Sequence, residues 1–439
     1  MSFSVIKRNL FWLNDFIHGG IIRSFYNELA LVNRNYEQGY TIQQESLKRI
    51  LEHAKTNSEF YAKHTNVGGG KITDYPVTNK YILSQNHDSV CIPSEKIPGQ
   101  KDIPIHVQRT SGSTGTPFAV PQDVLKRKRR IAELKYYNAE LGVLSHDMIG
   151  QCRVWTKWHS KSKWQSFREN IIPINVARMD DETCALLFSL VKENRIVLLR
   201  AYASWYDAVV NYMKSGKGKP EDLKTLRVCI SSSEALNEET REGMMSLTGI
   251  PIVEAYADEE AGVMAQQRIG DTNYYLNHAD YVFEFLKLDD DSPAEEGELS
   301  RIVITDLFNY AFPLIRYDTG DTAVFHRGNE SSFGWTYITS LYGRRLDLVY
   351  DTDGRPVHPM SFARILKNIP GIIQWQLIQK DEKKYTVRLN MKEENSIDET
   401  LDEIRSVLGS DSEITTEYVN DIPVLASGKR KPVVCEWKR

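Results

Sequence analysis

Hydrophobic positions change their period along the chain, and the changes divide it into regions. At the N-terminus Phe3, Ile6, Leu10, Leu13, Phe16 and Ile17 recur at three- and four-residue intervals, which predicts an amphipathic helix. Packing of that stripe onto the domain is the expected arrangement, and docking on a membrane surface is the alternative. Ser46 to Ala54 repeats the helical period, and the first hundred residues read as mainly helical. The middle alternates short apolar runs with helical windows. Arg195–Leu199 and Leu226–Ile230 read as buried strands, and Ala203–Lys214 as a helix between them. That alternation predicts an α/β layered domain. Beyond Gly297 the period falls to two, over Glu298–Thr305. The last ninety or so residues read as a small α+β unit: a helix from Ser361, strands at Trp375–Gln379 and Tyr385–Asn390, and a helix over Ser396–Leu408.

Composition narrows this picture. At 439 residues the chain is too long for one core, so two or three domains are expected. With 41% hydrophobic and 26% charged residues it does not read as globally disordered. The formal net charge of -4 gives no footprint for nucleic acid. The run Lys126-Arg127-Lys128-Arg129-Arg130 is read as the solvated face of a helix, with phosphate or partner contact as the alternative. Cys91, Cys152, Cys184, Cys229 and Cys435 are odd in number and widely spaced, which fits a reducing, cytoplasmic setting better than a disulfide or zinc framework. The sequence has neither a membrane-spanning apolar stretch nor a signal-peptide pattern, so no integral membrane segment is expected.

Candidate chemistry lies in five places. In Thr110-Ser111-Gly112-Ser113-Thr114-Gly115-Thr116-Pro117, glycines permit close backbone approach to an anion and hydroxyls add donors; the pattern suits phosphate, and an ordinary flexible loop is the alternative. The strand Ile252–Ala255 runs into Tyr256-Ala257-Asp258-Glu259-Glu260-Ala261-Gly262, an acidic turn able to hold a hard cation such as Mg²⁺ or simply to be solvated. Phe312–Asp321 ends in a Thr-Gly-Asp turn whose Asp321 carboxylate can accept from a ribose diol, or mark a plain hairpin. Gly343-Arg344-Arg345-Leu346-Asp347 lies near an expected domain boundary. Ser427-Gly428-Lys429-Arg430-Lys431 places a lysine after glycine on an exposed loop, which otherwise reads as a basic tail.

Together, in this order, the five segments resemble the acyl-adenylate-forming superfamily, and most of all its phenylacetate-CoA ligase branch with the CapK-like relatives of capsular polysaccharide biosynthesis. The resemblance runs over nearly the whole chain. It implies a large N-terminal α/β adenylate-forming domain (1–343), a hinge (344–347) and a small mobile C-terminal α+β domain (348–439). It implies that Thr110, Ser111, Gly112, Ser113, Thr114, Gly115 and Thr116 hold ATP phosphates. Ser233, Glu234, Tyr256 and Ala257 would border the nucleotide, Asp321 the ribose, and Arg344 the ribose and phosphate. Glu260 would bind Mg²⁺, with Glu259 as a neighbouring alternative. Lys429 would join the carboxylate to the α-phosphate, which with Glu260 and Arg344 makes the catalytic set. Trp155, Ser232 and Asp258 would line the acid pocket. Trp155 and Trp158 can equally be core residues, and Arg153 with Asp258 can meet charged groups of an amino-acid substrate. Leu346 stands where the family usually has aspartate, Ala257 where glycine is common, and Asp318 where a larger or basic residue is frequent.

The implied activity is ATP-dependent formation of an acyl-AMP from a carboxylic or amino acid with release of pyrophosphate, followed by transfer to a sugar amine or thiol. CoA is a candidate acceptor. An aryl acid–CoA ligase and a non-catalytic binding protein are the competing readings.

Overall fold

The computed structural model describes residues 3–437 apart from 67, 69, 101–102, 110–117, 154–161, 177–179, 345–348, 358, 367–368, 392–396 and 423–431. Three long helices open the chain: α1 (Phe3–Ile17), α2 (Ile21–Arg34) and α3 (Tyr36–Asn57). The short helices α4 (Glu59–His64), α5 (Lys80–Gln85) and α6 (His87–Val90) follow, with β1 (Thr78–Asn79) ahead of α5. Next come β2 (His106–Arg109) and β3 (Ala119–Gln122), which pair antiparallel with Arg109 opposite Ala119. Helix α7 (Val124–Glu140) starts at Asp123, whose carboxylate accepts from the Leu125 and Lys126 N–H groups.

The strand–helix alternation read from the sequence then appears as β4 (Ile149–Arg153), α8 (Lys163–Glu169), β5 (Ile171–Asn175), α9 (Asp181–Asn194), β6 (Leu198–Ala201), α10 (Ala203–Lys214), β7 (Val228–Ser232), α11 (Glu238–Thr248) and β8 (Ile252–Ala257). Strands β4 to β8 pair in parallel. Their helices cover an apolar core that includes Leu187, Val191, Ile196, Trp205, Tyr206 and Val209. The sheet continues through β9 (Val263–Gln267), β10 (Tyr274–Leu276), β11 (Tyr281–Leu286), β12 (Leu299–Asp306), β13 (Tyr317–His326) and β14 (Tyr337–Arg344). The strand order is β5-β4-β6-β7-β8-β9-β10-β14-β13-β12-β11, with β1 added in parallel on β13.

The C-terminal elements are β15 (Val349–Tyr350), β16 (Pro356–Val357), α12 (Pro359–Leu366), β17 (Ile372–Asp381), β18 (Lys384–Met391), α13 (Asp398–Leu408), β19 (Glu413–Tyr418) and β20 (Val433–Cys435). Four of them form a sheet ordered β19-β18-β17-β20. Helix α13 is the crossover that lets β18 and β19 run parallel. Phe362, Leu366, Leu377, Val387, Leu389, Ile404 and Leu408 make a core of their own. The chain thus has a large α/β portion and a small α+β portion. Two compact units emerge: Met1–Thr319 with Ala323–Ser340, and Gly320–Thr322 with Leu341–Arg439.

Two expectations change. The run 126–130 is not a solvated face. Lys126 and Arg129 are buried and pair with carboxylates, Lys126 with Asp306 at 2.6 Å and Arg129 with Asp280 at 2.5 Å and Glu28 at 2.8 Å. Their three-residue spacing puts both on the inner side of α7, and the carboxylates offset the cost of taking the cations out of water. The N-terminal stripe does not pack inward either. Phe3, Ile6, Leu10, Leu13, Phe16 and Ile17 are exposed, while Phe11 and Trp12 pack against the core formed by α2 and α7. No helix among the described residues is long and apolar enough to cross a membrane.

Candidate active site

The parallel half of the sheet fixes the site. Strands β7 and β8 are neighbours with Ser232 opposite Ala255, so the segments leaving their carboxyl ends lie side by side. That edge is where open parallel sheets commonly place ligands. Ser232 ends β7 and Ser233 follows with φ of 73°, in the left-handed region that a non-glycine residue occupies only when its surroundings hold it there.

Glu234 has a second task. Helix α10 has no side-chain cap of its own, and the Glu234 carboxylate accepts from the Ser204 N–H at 2.9 Å in its first turn. A carboxylate there is favoured by the helix dipole. The loop is tied to β8 as well: Glu254 accepts from the Leu236 N–H at 3.2 Å and pairs with Arg241 at 2.8 Å. A backbone role therefore accompanies the nucleotide contact expected of Glu234.

Strand β8 carries Tyr256 and Ala257, and its pairing with β9 shifts register between them. Such irregularities re-aim a chain near a site. Tyr256 is buried, and its hydroxyl donates to Thr319 Oγ1 at 3.1 Å; Ala257 is exposed. The acidic turn beyond is held from several sides. Asp258 accepts from the Ala261 N–H at 2.5 Å. Arg130 donates to the Glu259 carbonyl at 3.0 Å, and Gln122 to the Glu260 carbonyl at 3.3 Å. Gly262 closes the turn at φ of 130°; a Cβ there would meet Glu133 Oε2 at 2.8 Å. Glycine is required on both counts.

The three carboxylates have different surroundings. Glu259 accepts from Gln108 and lies 3.6 Å from Arg153, so of the two groups considered for a charged substrate, Arg153 and Asp258, the first already faces a carboxylate. Glu260 accepts from the Tyr317 hydroxyl at 3.3 Å. Burial pushes the Glu260 carboxyl above its ordinary range. Asp258 is pushed well above its own range, by burial first and then by the Glu260 charge. Among the described residues neither Asp258 nor Glu260 makes an ion pair. Two half-buried carboxylates with neutral donors and repelling charges suit a dication. Mg²⁺ commonly takes only one or two protein carboxylates and draws its other ligands from phosphate and water.

Asp321 lies on β13, two residues after Thr319, and Gly320 between them has φ of 80°. Asp318 pairs with Arg301 at 2.8 Å, giving that unusual position a structural partner. Arg344 ends β14. Thr110 to Thr116, Trp155, Trp158 and Lys429 lie outside the described residues; the first group joins the paired strands β2 and β3. The structure thus brings together Ser232, Ser233, Tyr256, Asp258 and Glu260. It adds Tyr317 and Thr319, which sequence reasoning passed over although both stand in the segment that yielded Asp321. It also adds Gln122 and Arg130, whose role depends on a contact across more than a hundred residues.

Comparison with known proteins agrees with this fold. Residues 349–436 match the CapK C-terminal domain family. The chain is 23% identical to Protein CapK of Staphylococcus aureus over 429 residues, covering 93% of this chain and 92% of that protein. It is 20% identical to the phenylacetate-coenzyme A ligase of Thermus thermophilus over 365 residues, 78% of each. Its fold matches 2-hydroxyisobutyryl-CoA ligase in the postadenylation state with a TM-score of 0.72 at 15% identity, covering 92% of this chain and 91% of that one. ATP-bound MatB from Rhodopseudomonas palustris matches with a TM-score of 0.57 at 15% identity, over 76% of this chain and 69% of that one. The chain is thus similar in sequence to CapK and to a phenylacetate-coenzyme A ligase, and its fold is that of the adenylate-forming CoA ligases.

Proposed function

We propose that this chain is an AMP-forming ligase that activates a carboxylic acid as its acyl-AMP and passes the acyl group to a second acceptor. The supporting observation is the set of segments at the carboxyl ends of β7 and β8, bonded to β13 through Tyr256–Thr319 and Tyr317–Glu260, on the adenylate-forming fold. In the first step a carboxylate oxygen attacks the α-phosphorus of ATP. A new P–O bond forms, the bond to the β-phosphate oxygen breaks, and pyrophosphate leaves with the electron pair. Reaction requires two anions to approach, so positioned positive charge sets the rate. Lys429 is the proposed cation, and Thr110 to Thr116 the proposed phosphate cradle. Tyr256 and the Ser232–Ser233 turn would border the base and the acid, Asp321 would accept from the ribose hydroxyls, and Arg344 would meet phosphate. Mg²⁺, held by Glu260, would neutralise charge on the leaving pyrophosphate. Rotation of the second unit about 344–347 would then expose the intermediate to its acceptor.

Similarity to CapK over nearly the full length supports a role in surface-polysaccharide synthesis, with a sugar amine as acceptor. Similarity to a phenylacetate-coenzyme A ligase supports the second reading, an aryl acid–CoA ligase. Acid-dependent ATP–pyrophosphate exchange over a panel of amino and aryl acids tests the first step. Exchange with an acid and no thioester when CoA is added would favour the amine acceptor. No exchange with any acid, by folded protein that binds ATP, would overturn the activation chemistry. Lys429→Ala should reduce exchange roughly 10²–10³-fold while ATP still binds.

A further inference from the structure

Helix α1 is attached to the protein by its less apolar side. Arg8 pairs with Asp147 at 2.8 Å, Phe11 and Trp12 pack against the core, and Asp15 accepts from the Ile22 and Arg23 N–H groups at 3.1 and 2.9 Å. On the opposite side Phe3, Ile6, Leu10, Leu13 and Ile17 form one stripe, with Phe16 at its edge. All six are exposed, Phe16 at 77%. The stripe does not end with the helix. Phe3 packs on Phe167 of α8 at 5.9 Å, and Phe167 stacks on Trp164 at 5.8 Å. Trp164 is 70% exposed. Lys7 fixes the junction: its ammonium donates to the Phe167 carbonyl and to Asn170 Oδ1, and sits over the Phe167 ring. The two helices therefore present one continuous apolar surface.

Its border is cationic. Lys163 and Arg168, next to Trp164 and Phe167 in the chain, are exposed, and Lys7 sits at the junction. The sole carboxylate of α1, Asp15, is buried and bonded to backbone. Glu169 is the one carboxylate of α8, and it is engaged by Gln165 at 3.3 Å and Arg168 at 3.7 Å. An apolar stripe carrying Trp and Phe and rimmed by Lys and Arg is the chemistry that seats a helix in the plane of a membrane interface. Anionic headgroups add attraction from each nearby cation. A second copy of the same surface fits less well, because two-fold pairing would set this cationic border against itself while the carboxylates of α1 and α8, Asp15 and Glu169, are already engaged.

We infer that the outer face of α1, continued by Trp164 and Phe167, is a docking surface for an anionic lipid bilayer. None of these residues belongs to the proposed site, and the inference does not depend on the proposed reaction. Flotation of the full-length protein with phosphatidylcholine vesicles, with and without phosphatidylglycerol, tests it. The protein should float with the anionic vesicles, and less so as salt is raised. The double variant L10E/L13E should lose about tenfold or more in partitioning. K163E/R168E should weaken binding to anionic vesicles alone. All these side chains are exposed, so melting temperatures should stay near wild type, and a melt on each variant separates lost docking from lost folding. Three results would overturn the inference: flotation with neither vesicle, equal flotation with both, or a concentration-dependent dimer that L10E/L13E dissociates while vesicles capture nothing.

Discussion

The inner side of α7 and the turn after β8 both withdraw carboxylates from water, and they do so with opposite accounting. At α7 both buried cations are matched: Lys126 faces Asp306, and Arg129 faces Asp280 and Glu28. Glu133 on the same side is the exception, accepting from the Val263 N–H and Asn277 with its carboxyl raised by burial. In the turn, among the described residues, Asp258 and Glu260 accept from N–H and hydroxyl donors without an ion pair, and the Glu260 charge raises Asp258. Buried charge that is matched within the fold serves architecture, and its neutralisation is complete before any ligand arrives. Unmatched charge is costly to the empty protein, and a ligand that brings positive charge recovers the cost on binding. The contrast gives the first region a structural task and sets the second apart as the proposed site.

The largest test breaks the matched region. Arg129→Leu strands Asp280 and Glu28, and should cost about 3–5 kcal/mol in urea denaturation. Near-wild-type stability would remove the basis for calling α7 structural. Next is the unmatched region. Glu260→Gln should leave stability unchanged or slightly raised while acid-dependent exchange falls roughly 10²–10³-fold. A variant that melts early but retains exchange would reverse the assignment. Gly262→Ala lies between the two, since it forces a side chain against Glu133 in a left-handed turn. A loss of about 1–3 kcal/mol in thermal denaturation is expected, and an unchanged melting curve would show that the turn relaxes freely.

How much of this was legible in the sequence depended on the range of the contacts involved. Local period placed α10 at Ala203–Lys214 with its observed bounds, and set β12 within one residue. The strands β6 and β7 begin two or three residues later than their apolar runs, because Ile196 and Leu226 pack in the core ahead of the ladder. The acidic turn was legible as a turn leaving a strand, but three acidic residues alone read equally as a solvated turn, and the cation role expected of them came from the family resemblance. The burial of Lys126 and Arg129 was not legible. A run of five cations looks the same whether its partners are water or the distant Asp280 and Asp306, and only the folded sheet brings those carboxylates within reach. Helix α1 misled in the opposite sense: its period was correct, but period alone does not say which side the protein covers.

The smallest expected effect is the most direct measure of unmatched charge. The Asp258 carboxyl is raised above the ordinary aspartate range near 3.8, so the native protein holds a proton that the unfolded chain has already released. Native stability therefore falls as pH rises from that ordinary value through the raised one, and the full penalty remains above it. Asp258→Asn cannot pay this penalty and keeps an oxygen to accept the Ala261 N–H. The ligand-free variant should melt roughly 1–3 °C above wild type in mildly alkaline buffer. The gain should shrink as pH is lowered and vanish below the ordinary aspartate value. Adding Mg²⁺ and ATP should shrink it as well, because a bound dication favours the charged wild-type carboxylate. If the difference in melting temperature is flat with pH, Asp258 is already neutralised by the fold. The acidic turn would then belong with α7, among the matched charges.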